Sequence, residues 1–252
     1  QALAIVENAL GPDSIEKGVM LQNLAYLHQI KGSFNTAEAL FLRALPIYEQ
    51  VLGAEHRETA LCYRNLASLY LDQALFEKAE PLLLQALTIQ EKKLGAQHLE
   101  IAFTLDKLAV LYNDQNYFSK AEPLNQRAIT IKEQVLGPNH VMTAVTLNNL
   151  AIAYIDQGLM NKAKPIMLRV LAIYEKNLSP THLDLATITN NLGGVYLKEG
   201  DLRKAKPLLL RALAIQEKIL GSQNPNIATL LRNLGGLYYV EGNFPEAEHF
   251  IR

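Results

Sequence analysis

Cysteine is almost absent from this chain: of 252 residues only Cys62 carries a thiol. That excludes an internal disulfide framework and a Cys-rich zinc site, and it suits a cytoplasmic location. Charge of one sign is lacking too. Lys plus Arg number 24 and Asp plus Glu 25, a formal net charge of −1, so no basic excess points to nucleic acid. No apolar run approaches the ~18 residues of a membrane span, and no signal-peptide pattern opens the chain. The GxSxG, P-loop, HExxH and dinucleotide-glycine motifs are missing, as is any alternating stretch of the kind a strand shows. These absences argue against an enzyme, a cofactor or a membrane anchor. Gln1 stands where a start would carry Met, which points to a fragment or processed product of a longer protein whose flanks could hold other domains.

What is present is a repeat. Hydrophobic residues make up 49% of the chain, enough for a substantial core, and the sequence aligns to itself at an offset of 42 without a gap. Leu24, Leu66, Leu108, Leu150, Leu192 and Leu234 form one column. Ala37, Ala79, Ala121, Ala163, Ala205 and Ala247 form another, and alanine at every copy implies close approach of helices. Asn23, Asn65, Asn149, Asn191 and Asn233 share a column broken only by Lys107.

Each unit reads as two helices. In the second unit, helix A spans about 56–72, with Ala60, Tyr63, Ala67 and Tyr70 on one face, and helix B spans about 76–94. Gly53 and Gly95 suit a left-handed position after helix B, and Gly32, Gly158, Gly200 and Gly242 punctuate the A–B turn. Ser33, Asp201 and Asn243 follow as candidate N-caps, and Pro225 suits the first turn of the last helix A. Pro81, Pro123, Pro165 and Pro207 leave two alternatives: helix B starts later than the pattern, or it carries a mild kink. Pro46 predicts a local bend.

Leu192-Gly193, Tyr196, Gly200, Leu202, Ala205 and Leu234-Gly235, Tyr238, Gly242, Phe244, Ala247 are similar to the signature of the tetratricopeptide repeat. The 42-residue period and the linker Leu136-Gly137-Pro138-Asn139-His140 resemble the lengthened repeats of kinesin light chain and of many bacterial scaffold or sensor proteins. The departures are Leu where the family often has Trp, Lys107 in the asparagine column, and Asn224-Pro225 where other units begin with His. The resemblance covers the whole chain. It implies an all-α, right-handed superhelical solenoid of antiparallel helix pairs that binds protein or peptide. Five full repeats are expected at 14–55, 56–97, 98–139, 140–181 and 182–223, flanked by a partial helix B with linker at 1–13 and a partial sixth repeat at 224–252.

Candidate sites divide into bland and informative. His56, His98, His140 and His182 recur once per unit, so they stand roughly 10 Å apart and cannot share a metal that needs ligands about 2 Å away. They read as residues that bond or pack at the start of helix A. Cys62 reads as a buried small residue.

The resemblance places a second stripe of helix A on a concave groove. Its contents vary: Phe103 in the third unit, Val145 and Ile152 in the fourth, Thr187 and Gly194 in the fifth, Arg232 and Gly236 in the sixth. A surface that varies while its scaffold repeats suits partner readout. Asn65, Asn149, Asn191 and Asn233, with Lys107 among them, could pair with a peptide backbone or tie neighbouring helices, and both readings stand. Asn148 and Asn190, beside that column in only two units, read as partner contacts. Gly194 and Gly236 either open a pocket on the groove floor or let neighbours pack closer. The mixed charges along the stripe argue against a strongly anionic ligand.

The leading expectation is a non-enzymatic module that binds a peptide or protein segment in the groove. The alternatives are an architectural spacer or oligomerisation array, and a regulatory domain of a longer protein. Uncapped ends, with Leu3 and Ile5 at one and Leu234 and Phe250 at the other, predict end-to-end self-association.

Overall fold

Helices form wherever the apolar columns recur at helical spacing. The computed structural model describes residues 14–222 and 224–251, and no strand occurs among them. The chain divides into two compact units, Gln1–Val135 and Leu136–Arg252. The first holds α1 (Ile15–Ile30), α2 (Phe34–Val51), α3 (Arg57–Asp72), α4 (Phe76–Leu94), α5 (Leu99–Asp114) and nearly all of α6 (Phe118–Leu136). The second holds α7 (Val141–Asp156), α8 (Met160–Asn177), α9 (Leu183–Lys198), α10 (Leu202–Leu220), a 3-10 turn (Pro225–Ile227), α11 (Ala228–Val240) and α12 (Phe244–Ile251). Odd-numbered helices are the A helices, even-numbered the B helices, and the short A–B turns make each pair antiparallel neighbours. None of the described helices is long and apolar enough to cross a membrane.

The turns explain the punctuation. After α1, Gly32 N–H donates to the Gln29 carbonyl and Ser33 N–H to the His28 carbonyl, both at 2.9 Å, which is the Schellman arrangement. The pivot needs positive φ, and Gly32, Gly158, Gly200 and Gly242 adopt +73° to +78°. Ala74 and Asn116 take the same role at 55° and 62°, a conformation that disfavours a Cβ. Ser33 does not cap with its side chain, whereas Asp201, with a similar backbone, does, accepting from Lys204 N–H at 3.2 Å.

The B–A linkers work differently. Gly95 and Gly221 have positive φ as expected, but ψ is 155° and 153°, so they occupy the extended glycine-only region and not the left-handed helical one. Their carbonyls then accept N–H three residues on, as Gly95 does from His98 at 3.2 Å. The histidine caps the next helix: Nδ1 of His56, His98, His140 and His182 accepts the N–H two residues ahead at 3.1–3.2 Å. Where Asn224-Pro225 replaces this device, the first turn is 3-10 and α11 starts only at Ala228, with Ile227 offering no side-chain acceptor.

The prolines resolve one alternative. Pro81 lies inside α4, which begins five residues earlier at Phe76, and the same holds for Pro123, Pro165 and Pro207, so the B helices do not start late. Helix α2 likewise continues through Pro46. The alanine column is buried throughout, from Ala37 to Ala247. In the first unit, Leu21, Phe41, Leu66, Leu69, Leu83 and Leu108 form one apolar cluster. In the second, Leu185, Ile188, Leu192, Leu209, Leu230 and Leu234 are all buried.

Candidate functional site

The second unit concentrates the expected groove residues. Helices α7, α9 and α11 frame a cleft of about 340 Å³. Ile152 and Asp156 of α7, Asn190, Asn191, Gly194 and Lys198 of α9, and Arg232 and Asn233 of α11 line it. Ile155, Val195 and Thr229 complete the wall. Six residues singled out from sequence therefore meet here. Thr187, Val145, Asn148, Asn149 and Gly236 do not line it. Thr187 and Val145 are exposed, and Asn148 and Asn149 are half-buried.

The two readings of the glycines separate by position. A Cβ on Gly194 would meet only Asn233 Nδ2, at 3.6 Å, and one on Gly236 only Leu197 Cδ2, at 3.8 Å. These are ordinary contacts, so neither glycine is required by close packing. Their neighbours Gly193 and Gly235 are. A Cβ on Gly193 would stand 2.8 Å from Cγ and Cδ2 of the buried Leu209, and one on Gly235 would be 2.5 Å from Ile251 Cγ1. Closeness lies one residue before the position that opens the cleft.

Asparagine 190 departs from the reading as a free partner contact. It is only 8% exposed, and its Oδ1 accepts a 2.9 Å bond from Nδ2 of Asn233. That bond ties α9 to α11, so at Asn233 the helix-tying alternative holds. Asn148 has a buried Oδ1 without a hydrogen-bond partner.

The first unit presents its A-helix face otherwise. Asn65, Phe103 and Lys107 are half-buried. Arg64 Nη1 pairs with Glu100 Oε2 at 2.5 Å, and Lys132 Nζ with Asp106 Oδ2 at 2.5 Å. Both cations lie over the Phe103 ring, 5.6 and 5.2 Å from its centroid. Phe103 is thus engaged within its own unit. Lys132 has a side chain only 2% exposed and passed unnoticed in sequence. The available signal was its column: the other units place Tyr48, Gln90, Tyr174 and Gln216 there, so a lysine needs a specific anion.

Two further expectations meet the coordinates. Cys62 is buried, and burial followed by the nearby Glu49 pushes its thiol up to about 12, so the reactive thiolate is suppressed. Leu234 is fully buried and so is no part of an exposed apolar end, while Phe250 is half-buried and stacks on Tyr238 with centroids 5.5 Å apart. Leu3 and Ile5 lie outside the described residues, as does the expected partial helix B at 1–13.

Comparison with known proteins places this architecture. A family model for the tetratricopeptide repeat matches residues 18–92, 72–134, 118–176, 142–217 and 184–252. Among solved structures, BtubC (BKLC) from P. vanneervenii superposes with a TM-score of 0.73 at 23% identity, over 86% of this chain and 88% of that one. A variant of the Podosopora anserina putative kinesin light chain TPR-like repeats gives a TM-score of 0.67 at 26% identity, over 79% and 94%. Rap protein complexed with competence and sporulation factor gives 0.68 at 17% identity, over 98% and 76%. No curated protein matches the sequence. A 42-residue helix pair, small residues where helices meet and a matching family model along nearly the whole chain have one reading: the chain belongs to the tetratricopeptide repeat family and is a repeat scaffold of the kind used in protein interaction.

Proposed function

We propose that this array is a non-enzymatic scaffold that holds a peptide or protein segment on its A-helix face, with the α7–α9–α11 cleft as the principal contact. The observation that carries the reading is that cleft, where Gly194 leaves space that packing does not require. Glycine inside a helix costs roughly 1 kcal/mol relative to alanine, and no close neighbour accounts for it here. Rap protein complexed with competence and sporulation factor supports binding of another factor as a use of this fold. Asn190 and Asn233 hold the cleft's floor to its wall, so the shape is present before a ligand arrives.

The test is a peptide-display selection on the whole chain, followed by anisotropy measurements on the best labelled peptide. Gly194→Leu fills the cleft and is expected to weaken that peptide at least tenfold while helicity is kept. Ala214→Leu, at an exposed position of α10, serves as control and leaves affinity unchanged. Equal affinity in all three proteins removes the cleft from the binding site.

A further inference from the structure

The lining of the cleft is not uniform. Ile152 and Ile155 of α7 and Val195 of α9 give it an aliphatic part, beside Asp156 at the end of α7. The same lining includes the cations Lys198 of α9 and Arg232 of α11. Three other cations of the second unit are paired with acids: Lys164 with Glu199 at 2.8 Å, Lys206 with Glu241 at 2.7 Å and Arg211 with Glu175 at 2.5 Å. Lys198 and Arg232 are exposed, and neither meets a carboxylate within ion-pair distance among the described residues. Asp156 is the one acid of the lining, so two cations face one anion. An arginine and a lysine converging on one cleft suit a carboxylate, which accepts from both.

We infer that the segment held here is extended and carries an aliphatic side chain for the Ile152–Ile155 wall and an acidic side chain for Lys198 and Arg232. The inference rests on the cleft being the binding site. Neighbouring A helices stand about 10 Å apart and a strand rises about 3.3 Å per residue; α9 and α11 lie one and two such steps from α7, so the two side chains sit about three to six residues apart. The acid is assigned to a side chain within the segment, and a free C-terminus is the alternative that the experiment separates. One carboxylate is a modest charge, in keeping with the mixed signs along this face.

The experiment uses the whole chain and a synthetic array of 12-residue peptides, each made with a free and with an amidated C-terminus. Bound peptides are expected to place Asp or Glu about three to six residues from Leu, Ile or Val. Asp→Asn or Glu→Gln in the best peptide is expected to weaken it at least tenfold, and amidation to change nothing. Arg232→Glu, at an exposed position, is expected to shift the preference to Lys or Arg at the acidic place, and Lys198→Glu to do so more weakly. Peptides bound without regard to acidic residues, binding that survives Arg232→Glu unaltered, or binding only with a free C-terminus each overturn the inference while leaving the cleft as a binding site. No binding by any peptide overturns both.

Discussion

The same inter-repeat contact is built with opposite charge in the two units. In the first, the B helices reach forward with glutamate: Tyr70 Oη donates to Glu38 Oε1 at 2.8 Å, and Tyr112 Oη to Glu80 Oε1 at 2.6 Å. In the second, lysine stands at the same repeat position. Lys164 and Lys206 pair with Glu199 and Glu241, and their ammonium groups lie over the rings of Tyr196 and Tyr238, 5.6 and 4.6 Å from the centroids. The tyrosine is common to both. Both units set a lysine over the ring, with Lys78 over Tyr70 and Lys120 over Tyr112 at 4.9 Å in the first; what changes is the residue opposite, a glutamate that accepts from the hydroxyl in the first unit and a lysine in the second. A repeat conserves a contact while letting its chemistry be rewritten, and the A-helix stripe follows the same rule. At one shared position the first unit places Asp106, bound to a buried ammonium, and the second places Asn190, bound to a neutral amide.

The largest effect should separate those two positions. Asp106→Ala removes the carboxylate that pairs with the Lys132 ammonium in a site 2% exposed, and about 3 kcal/mol of stability is expected to be lost. Asn190→Ala removes one neutral bond, and Asn233 can turn to the water of the cleft, so about 1 kcal/mol is expected. Urea melts of both variants check the ordering. Lys132→Met added to Asp106→Ala should recover most of the loss. Equal effects at the two positions would dissolve the distinction between the units.

The next effect compares neighbours within the second unit. Gly193→Ala drives a Cβ to 2.8 Å from Leu209 and is expected to destabilise by about 1–2 kcal/mol. Gly194→Ala meets nothing closer than 3.6 Å and is expected to stabilise by up to about 1 kcal/mol. The first unit already carries alanine at the matching close-approach positions, Ala67 and Ala109, both fully buried. Thermal melts that move the two glycine variants in the same direction would refute the assignment of close packing to one and open space to the other.

The smallest effect is alkaline and belongs to the first unit. Burial, then the bond to Glu38, pushes the Tyr70 phenol up to about 12, and burial with Glu80 does the same for Tyr112. The folded state therefore favours the protonated phenols. Their contribution is intact below pH 10, the ordinary value, and is lost as pH rises from there to about 12. Ultraviolet titration of phenolate should show Tyr70 ionising late, and Glu38→Gln should bring it earlier without restoring the ordinary value, since burial is the larger cause. A Tyr70 titration unmoved by Glu38→Gln would leave the glutamate tie without influence.

Much of this was legible in the residues themselves. The 42-residue period, the helix pairs at 57–72 and 76–94, the positive φ at Gly32 and Gly200 and the place of each histidine all follow from local rules, because capping, turn geometry and helical spacing depend on residues a few positions apart. The A-helix stripe was legible as a set of candidates, and six of them share one cleft. What no repeat column could say is which glycine is tight and which is open, since Gly193 and Gly194 differ only in whether α10 or the cleft lies opposite. Asn190 was likewise readable as a carboxamide but not as one already engaged, because its partner Asn233 is 43 residues away. Lys132 and Asp106 meet across 26 residues within one helix pair, and only the packing of α5 on α6 brings them together. Composition and period thus determined the architecture, whose contacts are short in sequence; the tertiary structure alone decided which polar groups satisfy each other and which are left facing open space.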